Sequence, residues 1–393
     1  MRLHWIDALK GIGIMLVVFA HHSLPIALDT YIFSFHMPLF FFISGFLFNF
    51  GKYAESAGNF VKWRFRSLIV PYFSFAVLTC LFYFLLDTAF QPGVTNIEFF
   101  RNSALYGIYS IVYALGPLVS YNPPLWFLTC LFVTEILFYG LAKNYYGKPG
   151  KIVFWLTAAG VLGYLYSVHV PFRLPWNADV ALSAVVFYGA GNLFRKYTGP
   201  EKLAEPATEP KSGKEMDSGS ARELDLKIRN SFIRVEKFLP GIFIFLNLLY
   251  LAYLLEFPTS DKVNMNVLKY GNFYSYYLLA FSGIFAFVYL FKKINSSGLL
   301  EYYGRNSLIV LALHFPVKDI LTKLAILGFG VELEYFYYNT AFALSLTVLN
   351  LIFLIPVIFL INNYFPFLIG RKKVSALPGK LKICFREPAK KYD

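Results

Sequence analysis

The chain has 393 residues, of which 57% are hydrophobic, 20% aromatic and only 15% charged, with a formal net charge of +13. Together with a mean hydropathy of +0.54, these values lie outside the range of soluble domains and predict an all-α polytopic membrane protein without a separate soluble catalytic domain. The excess positive charge then reads as orientation and contact with the lipid bilayer, and nucleic acid is excluded as a partner.

Apolar runs long enough to cross the hydrocarbon core, about 20 residues each, predict about ten transmembrane helices. They fall near residues 8–27, 31–50, 68–90, 125–142, 151–168, 177–195, 238–257, 272–291, 306–327 and 338–361. No small-residue cleavage site follows the first run, so it is read as a retained span rather than a signal peptide. Lys and Arg concentrate in the turns after even-numbered spans, including Lys52, Lys62, Arg64, Arg66, Lys143, Lys292 and Lys293, and in the tail. By the positive-inside rule both termini are expected in the cytoplasm. Residues 1–370 form one transmembrane domain, and 371–393 a basic cytoplasmic tail. The stretch 198–237, rich in Lys, Glu, Pro, Ser and Gly, is expected to be a disordered cytoplasmic loop because its composition cannot bury a core.

Ionisable groups inside apolar spans are costly and mark candidate sites. In the first span Asp7, Lys10 and His21 share one helical face, since eleven residues from Lys10 to His21 make three turns and about 16 Å of rise. His22 is rotated by about 100° from that face. The second span returns from a short turn at Asp29 and Thr30, which places His36 at a depth matching His21 and predicts that the two imidazoles face each other. The alternative for each is a core imidazole bonded to a backbone carbonyl. Farther along, Trp126 stands at the outer end of the fourth span, where it reads as a substrate contact or an interfacial anchor. Glu135 lies near mid-depth, suited to sugar hydroxyls, to balancing a cation, or to a structural Tyr or Ser. His314 is similarly deep in the ninth span.

Cys80, Cys130 and Cys384 share no close spacing and read as structural. No histidine pattern has metal-ligand spacing, so no metal site is expected, and no phosphate-binding or dinucleotide loop occurs.

The run WIDALKGIGIMLVVFAHHS followed by FHMPLFFFISGF closely resembles the acyltransferase-3 family of integral membrane O-acyltransferases, and within it the fucose 4-O-acetylase-like branch. Supporting matches are KWRFRSLIVPY at 62–72, PLWFLTCLF at 124–132 and YGRNSLIVLALH at 303–314. The resemblance implies ten helices and transfer of an acyl group, usually acetyl, from cytoplasmic acyl-CoA to a hydroxyl of a surface or exported carbohydrate. It implies a multi-pass protein of the bacterial cytoplasmic (cell inner) membrane. His21 matches the family's essential histidine and Lys10 its basic partner; Asp7, His36, Arg64, Arg66 and His314 also fall on pattern. Ser67 stands where many relatives carry another basic residue.

Acetyl-CoA, the implied donor substrate with no permanently bound cofactor beside it, needs cations at the inner surface for its phosphates and a reactive group deeper in. Arg64 and Arg66 suit the phosphates through paired hydrogen bonds, and His21 suits the general base that deprotonates the attacking hydroxyl. An acyl-histidine intermediate is the competing route. The rival class is a transporter or flippase using Asp7, Lys10 and the histidines as a proton or ion relay; the absence of repeated halves argues against it.

Overall fold

The computed structural model describes residues 3–54, 56–90, 104–115, 122–145, 147–198, 238–294, 297–332 and 339–371. The expected loop at 198–237 and the basic tail lie, apart from Thr198 and Arg371 at their edges, outside the described residues. The described helices are α1 His4–Ala20, α2 Ile26–Leu47, α3 Ala57–Arg64, α4 Val70–Phe90, α5 Ala104–Tyr113, α6 Trp126–Tyr145, α7 Pro149–His169, α8 Ala178–Thr198, α9 Leu239–Glu256, α10 Phe273–Lys292, α11 Gly298–Arg305, α12 Ser307–Phe329 and α13 Thr340–Tyr364. Among the described residues the extended structure is limited to one bridge between Asn264 and Lys269. The protein is an all-α polytopic membrane protein.

Each of the ten expected segments is helical, and seven are long and apolar enough to cross a membrane on those grounds alone: Ile26–Leu47, Ala57–Tyr83, Pro123–Tyr145, Pro149–His169, Leu239–Glu256, Phe273–Lys292 and Thr340–Tyr364. The other three are α1, at 17 residues with Asp7 and Lys10, α8, which carries Asp179, Arg195 and Lys196, and α12, which carries Lys318, Asp319 and Lys323. Their polar groups are tolerated because these helices bury long faces inside the bundle. By contrast α9, nearly all apolar, buries only Asn247 and Leu254. The first helix also starts and stops earlier than expected. It ends at Ala20, with His21 as its cap, since Ser23 is left-handed at φ 48 and Pro25 begins the next helix.

Two backbone-to-backbone contacts hold the centre. A Cβ on Gly11 would strike the Leu300 carbonyl and one on Gly304 the Asp7 carbonyl, so α1 and α11 touch without intervening side chains. Gly45 and Gly191 do the same for α2 and α8 against the carbonyls of Tyr188 and Phe42. Small residues at helix crossings allow this close approach, which is how membrane helices gain van der Waals contact where lipid supplies no hydrophobic drive.

The bundle's two ends are tied separately. At the end bearing the start of α1, Arg195 donates to the Phe48 carbonyl at 3.1 Å and Arg66 to the Gly370 carbonyl at 2.8 Å. At the opposite end Thr30 donates to the Thr259 carbonyl at 2.7 Å, and Lys262 pairs with Asp29.

Candidate functional site

The stripe on α1 forms as its spacing predicts. Lys10 Nζ lies 3.2 Å from Asp7 Oδ1, one turn apart, while Arg305 Nε of α11 approaches Asp7 Oδ2 at 3.5 Å. Arg305 also donates to Glu301 at 2.5 Å, and the His4 ring N–H donates to the same carboxylate at 3.0 Å. Burial opposes ionisation of Glu301, but the His4 hydrogen bond, the Ser297 N–H and the Arg305 charge outweigh it and hold the carboxyl below its ordinary range. The Gly11–Gly304 approach brings α11 close enough for this network.

Beside it opens a cavity of about 370 Å³ whose cationic lining is Lys10, Lys52 and Arg64. Ser44, Asn49 and Ser307 add hydroxyl and amide groups, and the deeper wall is apolar, with Ile14, Met37, Phe127 and Leu311. Near the cations, Tyr53 and Trp63 stack at 5.4 Å between centroids, Lys52 lies over both rings, and the Arg64 guanidinium lies 4.5 Å above Trp63.

Arg64 and Arg66 do not act as a pair. Arg64 turns inward into a two-point ion pair with Glu135, whose side chain is fully buried on α6. Arg66 is exposed and occupied with the Gly370 carbonyl, and it does not line the cavity. Residues two apart on a helix point about 200° apart, and the chain between them opens into a π-helical turn at Phe65–Ile69 that leaves them on different sides. Glu135 therefore balances a cation, one of the roles its position offered.

The histidines gather at the other end. His21, capping α1, donates its Nδ1–H to the Val17 carbonyl at 2.7 Å and lies with the same nitrogen 3.3 Å from His314 Nε2; the two ring centroids are 5.0 Å apart. The neighbour of His21 is thus His314, against the expectation that it faces His36. His36 lies within electrostatic reach of His21, but its Nδ1–H is spent on the Ile32 carbonyl at 2.7 Å and its ring on Phe33. The reason is the early end of α1, which brings His21 against α12 instead of alongside the middle of α2. His22 is buried and, like His21, lies beyond the last residue of α1.

None of the histidines lines the cavity, although its apolar wall comes from the same helices. Met37 follows His36, Leu311 precedes His314 by three residues, and Ile14 lies on the Lys10–His21 face. Trp126 is buried against Phe41 and Phe127, at 6.5 and 6.2 Å between centroids, so it is neither an exposed anchor nor a cavity wall. Among the described residues no group of three or more His, Cys, Asp or Glu side chains has metal-binding geometry.

Sequence reasoning passed over Lys52, Trp63 and Arg305. Their signal was available: Lys52 lies in the same basic turn as Arg64, Trp63 directly precedes Arg64, and Arg305 is part of the YGRNSLIV motif. No curated protein and no solved structure matches the chain. A family model described as an acyltransferase domain matches residues 3–369, nearly all the transmembrane region that carries these groups, and the chain belongs to this acyltransferase family.

Proposed function

We propose that the protein transfers an acetyl group from cytoplasmic acetyl-CoA to a carbohydrate hydroxyl, as the fucose 4-O-acetylase-like branch of its family does, in a bacterial cytoplasmic membrane with both termini inside. The observation that carries this reading is the make-up of the cavity: three cations near the start of α1, and an apolar wall contributed by α1, α2 and α12, the same helices that carry or end at the histidines. That combination matches a donor with phosphates at one end and a thioester at the end of a long arm. Lys52 and Lys10 offer charge to the phosphates, with Arg64 between them partly neutralised by Glu135. The apolar wall suits the arm and excludes water from the thioester.

At the histidine end the Nδ1–H of His21 is committed to a carbonyl, so in the neutral ring Nε2 carries the lone pair and is the general base. It takes the hydroxyl proton as the oxygen bonds to the thioester carbonyl carbon. The tetrahedral intermediate collapses with cleavage of the carbon–sulfur bond, and the imidazolium returns the proton to the CoA thiolate. The products are the O-acetyl ester and free CoA. Purified protein in lipid nanodiscs, given radiolabelled acetyl-CoA and oligosaccharide acceptors, is expected to form alkali-labile label on the carbohydrate. Absence of transfer to any sugar hydroxyl, with donor binding intact, overturns the acceptor class.

A further inference from the structure

Carbonyl oxygens accept and never donate, which fixes the hydrogens of the histidine pair. His314 Nδ1 lies 2.9 Å from both the Val310 and the Leu311 carbonyls, so Nδ1 carries the hydrogen and Nε2 of the neutral ring is an acceptor. His21 Nδ1 likewise carries its hydrogen toward Val17. At 3.3 Å the contact between the rings is then a shared Nδ1–H of His21 directed at His314 Nε2. The ring of His314 is fully buried.

The helix around His314 is built to hold that lone pair still. Pro316 lacks an N–H, which frees the Ala312 carbonyl from its helical partner. Asn122 takes that carbonyl at 2.9 Å while also donating to Thr79 at 3.0 Å, and Asn350 of α13 donates to the His314 carbonyl at 3.0 Å. Both asparagines are fully buried. Two amides from separate elements therefore fix the backbone on either side of a histidine whose free acceptor meets the proposed base.

We infer that His314 is a positioning residue for His21: its neutral imidazole accepts the His21 Nδ1–H, holds the tautomer that bares Nε2, and stabilises the imidazolium formed during transfer. It occupies the place that a carboxylate fills in many hydrolytic triads, and it does not contact the acceptor sugar. This rests on the reading of His21 as the base.

The test compares His314→Leu, which lacks an acceptor, with His314→Gln, whose amide oxygen restores one, in the acetyl-transfer assay with thermal stability measured on each. Leu is expected to lower kcat by about tenfold to a hundredfold with both KM values within about twofold of wild type; Gln is expected to recover part of kcat. Should the Leu variant not fold, His314→Met replaces it, as the thioether accepts poorly. A raised acceptor KM with kcat intact makes His314 a substrate contact and overturns the inference, as does equal loss in the Leu and Gln variants at equal stability. Wild-type protein in the same assay keeps the two readings apart: no transfer by wild type overturns the reading of the whole site, whereas transfer with an unimpaired Leu variant overturns the positioning role alone.

Discussion

The two ends of the site handle polarity inside a membrane protein in opposite ways. At the cavity's cationic end charge is answered by charge: Lys10 and Arg305 share Asp7, and Arg64 is locked to Glu135. At the histidine end no carboxylate pairs with His21 among the described residues, and its ring is held by the Val17 carbonyl and a second imidazole. An ion pair out of water is strongly interdependent, because removing one partner strands the other. A neutral imidazole bonded to a carbonyl can be replaced at modest structural cost. Damage to the first end should therefore register in stability and donor affinity, and damage to the second in turnover.

The sharpest break of this contrast is His21→Ala. Turnover is expected to fall roughly 10²- to 10⁴-fold through loss of the general base, while melting temperature and acetyl-CoA affinity stay near wild type. His22→Ala, which leaves the proposed base in place, should stay within a few-fold. An active His21 variant beside an inactive His22 variant would invert the assignment.

At the cationic end Arg64→Ala is expected to destabilise the protein by about 3–5 kcal/mol, since it leaves the Glu135 carboxylate buried without a partner. The double change Arg64→Met with Glu135→Leu should unfold at a higher temperature than the single variant, yet bind donor worse than wild type. If the double variant binds acetyl-CoA normally by calorimetric titration, Arg64 serves the fold alone. Arg66→Ala, by its exposure and its bond to Gly370, is expected to change donor affinity by less than about threefold.

A smaller and purely mechanical effect separates the ends again. Gly304→Ala places a methyl against the Asp7 carbonyl and should cost about 1–3 kcal/mol by forcing α11 off α1. Because the displaced helix carries Arg305 and Glu301, the donor KM should rise while kcat at saturating donor changes little. A thermal melt and a donor titration on the same preparation check both halves of that statement.

The smallest effect is on acid stability. Folding lowers the pKa of Glu301, so its contribution is present above the ordinary glutamate value of 4.5 and is lost as pH falls from there through the lower folded value. Glu301→Gln is expected to flatten the fall in melting temperature across that acid range, with little change in how the melt depends on pH near neutrality. An unchanged acid slope would remove Glu301 from the network's ionic support.

Several features of the site were legible in the sequence because they depend on local geometry. Helix periodicity put Asp7 and Lys10 within reach of each other, and each of the ten apolar runs found by hydropathy is helical among the described residues, since burial of a helical backbone in lipid demands long apolar runs. The expectation that His21 faces His36 missed the contact with His314 for a local reason as well: the left-handed Ser23 and Pro25 end α1 early, and a span estimated from hydropathy does not feel a helix stop.

What the tertiary structure alone decided is which helices face one another. His314 lies 293 positions from His21 in the chain, and Glu135 lies 71 from Arg64. Apolar helices are nearly interchangeable as hydropathy, and their neighbours are chosen by glycine contacts such as Gly11 with Gly304 and by a few buried hydrogen bonds. The sequence by itself determined an all-helical membrane chain with basic and imidazole groups inside it. The pairing of His21 with His314 and the capture of Arg64 by Glu135 came from packing, because the energy that selects them is spread over surfaces that meet only once the bundle has closed.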